Sequence, residues 1–397
     1  MTEHHTSQLP LPPSFGGRRR PSAGGRPPAP AVRGQAAARP SGPSVVALGG
    51  GHGLSASLTA LRHVAGDLTA VVTVADDGGS SGTIRREMDV LPPGDLRMAL
   101  AALCDDTDWG RTWAAAMQHR FHATRVPAEE ATLENHALGN LLIVALWELL
   151  GDPVDGLLWA GALLRADGRV LPASRTPLTI AGTVLTEVSG ALRRNSVEGQ
   201  VALAEAAREG KVLDVRLIPE DAEPAAEALE AVAEADVVVL GPGSLYTSVL
   251  PHLLMPGMRE SLAASGAKKV YVTNLHTGTQ ETTGMTHADQ LRVIRSHAPD
   301  LRFDAIIACP RSVGDREDFE AEAAAMGAQT VFSRVSRGRD RAVHDPLLLA
   351  VAFEEAMHRI RHPRERAPTS DAAETPEASA SDARPTPRPE GDDPAWR

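Results

Sequence analysis

The residues best suited to chemistry sit in glycine-rich turns. Residues 44–55, SVVALGGGHGLS, read as strand, turn and helix, with Gly49, Gly50, Gly51 and Gly53 in the turn. A strand feeding a helix must reverse sharply, often through positive φ, and a phosphate must approach bare backbone. Both demands favour glycine. The free N–H groups of the helix start then face the anion, and the helix dipole adds to their pull. His52, Leu54 and Ser55 complete the segment that would wrap it. Gly51-x-Gly53-x-x-Ala56 also fits the dinucleotide fingerprint with Ala in third place, a weak pattern that gains from following a strand and opening a helix. A purely structural turn is the plainer alternative. No GxxxxGK[ST] pattern occurs, which argues against a P-loop NTPase.

A second constellation is VADDGGSSG. Asp76 and Asp77 follow a strand rich in β-branched residues, where α/β sheets place ligands. One acid could grip a ribose hydroxyl, or the pair could hold Mg²⁺ as the only metal site the chain suggests. Gly78, Gly79, Ser80 and Ser81 form a donor-rich loop whose hydroxyls suit phosphate oxygens. An Asx-turn with a helix cap is the structural alternative. In LPPGDLR, Asp95 reads as an N-cap and Arg97, in the first helical turn, could reach a phosphate.

Later segments repeat the theme. GPGSLYTS follows an apolar run, so Gly241 and Gly243 predict a third close-approach turn, with hydroxyls from Ser244, Tyr246, Thr247 and Ser248. Asn274 ends the next strand at the same edge. His136 and Asn140 flank Gly139 and could share one helix face. His344 and Asp345 precede a helix opened by Pro346; capping is the expected role of Asp345.

These turns need a scaffold. Strands are predicted at 44–48, 68–74, 212–218, 237–240, 269–274 and 305–308. Helices are predicted at 54–63, 96–103, 140–150, 223–234, near 286–296 and at 346–361. Thr286 and Asp289 have capping-box spacing. Short buried strands alternating with helices predict an α/β fold with a doubly wound, mostly parallel sheet and helical elaborations. Residues 1–43, rich in Pro, Gly and Arg, and residues 362–397, acidic and rich in Pro and Ala, read as disordered tails around one domain over 44–361.

With a net charge of -11, the chain is not expected to bind nucleic acid generally, although backbone amides can still hold a phosphate. Two cysteines without CxxC spacing predict a reduced, cytoplasmic chain. No apolar run is long enough to insert in a membrane, and the N-terminus lacks the apolar stretch of a signal peptide.

GGGHGLS, TAVVTVADDGGSSG, PPGDLR, HALGN, GPGSLYTSVLP and a late HDP occur in this order. The chain thereby resembles the gluconeogenesis-factor family, within the superfamily of 2-phospho-L-lactate transferase. The resemblance covers nearly the whole ordered core. It implies a Rossmann-like fold, a site across the carboxyl ends of the strands, and cytoplasmic proteins tied to cell shape and to growth on gluconeogenic carbon sources. The ligand class it implies is a UDP-sugar such as UDP-N-acetylglucosamine. Two positions depart from the pattern. His52 stands where the family usually has Thr, and Val343 stands where Arg often precedes the late HD; Arg337, Arg339 or Arg341 could supply that charge.

Three functions compete. The first is a UDP-sugar-binding regulator without turnover, since no nucleophile–base pair stands out; it leaves room for a homo-oligomer and a regulatory protein partner. The second is a transferase of phosphorus-containing groups using Mg²⁺ on Asp76 and Asp77. The third, an NAD(P) oxidoreductase, rests on the fingerprint alone.

Overall fold

The computed structural model describes residues 41–362 apart from 125, 128, 129, 189, 278–280 and 337–342. The predicted tails therefore lie outside the described residues, save 41–43 and 362. So do Arg337, Arg339 and Arg341.

Ten strands are described: β1 (Ser44–Gly49), β2 (Asp67–Val72), β3 (Arg169–Pro172), β4 (Thr179–Val188), β5 (Ala191–Glu198), β6 (Gly210–Ile218), β7 (Val237–Leu240), β8 (Lys268–Val272), β9 (Ala305–Ala308) and β10 (Gln329–Phe332). Seven form one sheet in the order β10-β9-β8-β7-β1-β2-β3. Every pairing in it is parallel. Helices cover both sides, so the central strands are apolar throughout; all four residues of β7 are buried. The chain starts in the middle at β1, builds outward to β3, then returns to the other side of β1 with β7. That reversal creates a topological switch point between β1 and β7, where open α/β sheets leave a crevice at the carboxyl ends of the strands.

The predicted strands of this sheet form within two residues of their expected limits. The segment expected at 212–218 is a strand, but it belongs elsewhere. β6 joins β4 and β5 in a separate three-stranded antiparallel sheet, order β5-β4-β6, inserted between β3 and β7. The helix Gln200–Glu209 covers one face of this sheet with the buried Leu203 and Ala207.

Helix ends follow local chemistry. The Thr286 side chain accepts the Asp289 N–H while Asp289 accepts the Thr286 N–H, completing the predicted capping box. Asp345 accepts the N–H groups of Leu347 and Leu348 at 3.0 and 3.1 Å and caps Pro346–Arg361. The helix expected at 54–63 starts earlier, spanning Gly51–Leu61, so Gly51 and Gly53 lie in its first turn. Asp95 is not an N-cap: Pro93 holds that position, and Asp95 is the second residue of Gly94–Ala102. Pro93 already carries the helical turn, which frees the Asp95 carboxylate to face another element.

Candidate functional site

Gly51 takes φ +57°, a left-handed conformation, as the chain leaves β1 and enters its helix. Its N-cap residue, Gly50, has no side chain to cap it, and its first turn holds no acid. Helix geometry leaves its first N–H groups without intrahelical acceptors. The Asp95 carboxylate takes the one from Gly51.

Across the switch point, Gly241 turns with φ +77° after β7. The two turns meet at Gly53, where a β-carbon would stand 2.1 Å from the Pro242 carbonyl oxygen. Only a residue without a side chain permits this backbone approach. Asn274 clamps the second turn: it accepts the Gly243 N–H at 3.1 Å and donates to the Gly243 carbonyl at 2.7 Å. His287 in turn donates to the Asn274 carbonyl at 2.8 Å.

Between these turns lies a cavity of about 610 Å³, in the usual range for small-molecule sites. Its walls include Gly50, Gly51, His52, Gly53, Asp95, Gly243, Ser244 and Asn274 among the residues predicted from sequence. The structure adds Gln200, His276 and His344. No Lys or Arg is among its described lining residues. Any anion held here would rely on backbone N–H groups, hydroxyls and imidazoles. His52 is exposed in the wall, and Val343 lies at the rim, 65% exposed.

The acids of the site are heavily engaged. Burial, with the neighbouring Asp76 adding to it, pushes the Asp95 carboxyl up to about 7. Burial raises Asp76 as well, against hydrogen bonds from the Gly78 N–H and the Ser81 hydroxyl. Asp77 spends both oxygens on a distant helix, accepting Gln200 N–H at 2.9 Å and Val201 N–H at 3.1 Å. The predicted Asx-turn is thus present at Asp76, while Asp77 pins the three-stranded sheet's helix against the main sheet and sets Gln200 over the cavity. Gly78 is the N-cap of Gly79–Met88, and Gly79 itself takes φ +48°.

These bonds bear on Mg²⁺. Each Asp77 oxygen already accepts one backbone N–H, and no metal-binding group of three His, Cys, Asp or Glu occurs among the described residues. A Mg²⁺ ion at the Asp76–Asp77 pair would therefore take most of its ligands from water and bound phosphate.

Other predicted site residues turn elsewhere. Leu54 is buried in the core and Ser55 is absent from the described cavity wall. Arg97 is buried, its guanidinium bonded to Asn140 at 2.9 Å and to Gln118; burial lowers it to about 10. His136 precedes the helix Leu138–Leu150 instead of sharing its face with Asn140. Both meet Ser80, whose hydroxyl lies 3.1 Å from His136 Nδ1 and accepts from Asn140 at 3.1 Å. This serine–histidine pair is outside the described wall of the cavity and ties three segments together. Gly49 closes β1 and its carbonyl accepts the Thr73 N–H.

Tyr246 and Thr247 face away from the cavity. They belong to a π-helical turn, Leu245–Val249, organised by the buried Glu281. Glu281 accepts the Tyr246 N–H at 3.2 Å and the Thr247 hydroxyl at 3.0 Å, and also bonds Ser244. Glu281 was not legible in sequence, since HTGTQETTG carries no periodic or capping signal pointing to it.

The fold and cavity define a doubly wound α/β protein with a ligand crevice built from opposed glycine turns. The family model described as 2-phospho-L-lactate transferase CofD matches residues 45–340, and the chain belongs to this family. A Mycobacterium leprae protein, named provisionally as a gluconeogenesis factor, is 43% identical over 337 residues, covering 84% of this chain and 91% of that protein. The gluconeogenesis factor of Halalkalibacterium halodurans is 41% identical over 272 residues, 68% of this chain and 79% of that one. A crystal structure of a UPF0052 family member from Bacillus halodurans superposes with a TM-score of 0.67 at 35% identity, covering 79% of this chain and 99% of that one.

Proposed function

We propose that the protein is a gluconeogenesis factor that binds a UDP-sugar, such as UDP-N-acetylglucosamine, without turning it over. In this reading it acts in the cytoplasm on cell shape and on growth on gluconeogenic carbon sources. The observation that carries the reading is the cavity at the β1–β7 switch point, where the first turn of the helix Gly51–Leu61 faces the turn at Pro242 and Gly243. The first-turn N–H groups beyond the one that Asp95 takes suit a diphosphate, and the volume suits a nucleotide with an attached sugar. The relatives named as gluconeogenesis factors support the same reading. No helix among the described residues is long and apolar enough to cross a membrane.

Binding without turnover is favoured because the acids beside the cavity are committed. Asp77 caps a helix, and Asp95 serves Gly51. The family model's description favours a second reading, transfer of a phosphorus-containing group. Mass spectrometry of ligand carried through purification of the full chain separates the two. A UDP-sugar recovered intact supports the regulator; a transferred or cleaved product supports the transferase.

A further inference from the structure

A second cavity, of about 620 Å³, lies across the π-helical turn Leu245–Val249 from the first. Ser244 and Ser248 line the cavity at the β1–β7 switch point, whereas Tyr246 lines this one, and no described residue lines both. Its other walls come from the end of the helix Gln200–Glu209, the start of β6 and the segment 281–293.

The floor is buried and amphipathic. Tyr246 is 5% exposed, and its hydroxyl donates to the Met285 thioether at 3.7 Å. A thioether is a weak acceptor, so the hydroxyl can serve a better one. Burial, with Glu281 adding to it, pushes this phenol up to about 12, which keeps it a donor at neutral pH. Val212, Met285 and Val293 supply apolar wall. The mouth is charged. Arg208 and Lys211 stand there exposed, without an ion pair among the described residues. Arg292 is spent on Asp289, Asp318 and Glu322, which leaves Glu209 as the one acid facing the two cations. That balance favours an anion at the mouth.

We propose that this cavity is a second ligand site, taking a small amphipathic organic anion. Its apolar body rests on Val212, Met285 and Val293, an acceptor atom meets the Tyr246 hydroxyl, and the anionic group sits between Arg208 and Lys211. Two elements couple this site to the first cavity. Glu281 lines the second cavity and accepts the Tyr246 N–H, and it also bonds Ser244 in the wall of the first. The helix Gln200–Glu209 puts Gln200 in the wall of the first cavity and Arg208 in that of the second. These two residues are about 12 Å apart along one rigid element. A ligand that shifts Tyr246 or this helix therefore shifts the wall of the first cavity, and linkage makes the effect reciprocal. The coupling, unlike the second site itself, rests on UDP-sugar binding at the first.

Anilinonaphthalene sulfonate, an aromatic monoanion that fluoresces in apolar surroundings, is the probe. Titrated into the full chain, it should bind saturably. Arg208→Glu with Lys211→Glu, a change confined to exposed side chains, should weaken it about fivefold or more. Val212→Trp should fill the cavity and exclude the dye; if circular dichroism shows that this variant fails to fold, the charge exchange decides. Absence of saturable binding, or binding indifferent to the charge exchange, overturns the site. Saturating dye should change the Kd of UDP-N-acetylglucosamine, read by calorimetry, about fivefold or more, and the charge-exchanged chain should lose that change. A Kd that the dye leaves alone, or a change that survives the charge exchange, overturns the coupling. A chain that binds no UDP-N-acetylglucosamine without dye overturns the proposed function and the coupling together, while the dye titration still decides the second site.

Discussion

Gly51 and Gly53, in one helical turn, exclude side chains for different reasons. Gly51 has open space around its β-carbon position, with only Asp95 Oδ1 at 3.9 Å, so its constraint is the left-handed backbone. Gly51→Ala should cost about 1–2 kcal/mol of stability and leave a folded chain. At Gly53 a β-carbon runs into the Pro242 carbonyl, which cannot yield without moving the second turn. Gly53→Ala should therefore cost more than Gly51→Ala in urea denaturation and should abolish UDP-sugar binding. Equal costs would mean that the turns do not touch as described. Asp95 gives a pH test. Its folded value near 7 lies above the unfolded value of about 4, so the folded chain holds this proton more tightly. The associated stability is full below about pH 4 and is lost as pH rises through about 7. Asp95→Asn, which can still accept the Gly51 N–H, should raise Tm relative to wild type at pH 8 and bring little gain at pH 4. Parallel Tm curves across that window would acquit Asp95.

At the scale of elements, Asp77 acts as a cap supplied from another part of the chain. Asp77→Ala strands two N–H groups at the start of Gln200–Glu209. The expected loss is about 1 kcal/mol of stability, on the scale of a helix cap. Faster amide exchange at Gln200 and Val201 should accompany it, together with weaker ligand binding, because Gln200 forms part of the cavity wall. Unchanged exchange would show that the helix is held by packing alone. This element also marks the limit of what the sequence disclosed. β1, β2, β7, β8 and β9 were legible as apolar runs, several of them closed by glycine or Asn-type turns, and Thr286 and Asp345 were legible as caps because their partners are a few residues away. The partner of Asp77 is 123 residues distant, and no local rule reaches it. β5 was missed because ALRRNSVE is mostly polar and lies at an edge, which leaves no alternation to read. Tyr246 and Thr247 were legible as donors but not in direction, since the buried carboxylate that turns them lies 35 and 34 residues further on.

Across the whole molecule, strand order decides where the chemistry gathers. The return from β3 to β7 brings glycine turns some 190 residues apart face to face, as the pairing of Val45 with Val237 records. In the proposed reading a chain with net charge -11 holds a diphosphate there through helix N–H groups, since no lysine or arginine is among the described lining residues of the cavity. The same reading has this site bind a UDP-sugar without a protein-held cation and without reaction. Calorimetric titration of the full chain with UDP-N-acetylglucosamine, in Mg²⁺ and in EDTA, tests it most directly when the ligand is assayed afterwards by mass spectrometry. Affinities should lie within about twofold of each other, well below the tenfold that 1.4 kcal/mol would bring, with intact ligand in both samples. Binding that collapses in EDTA, with a cleaved or transferred product in Mg²⁺, would contradict it.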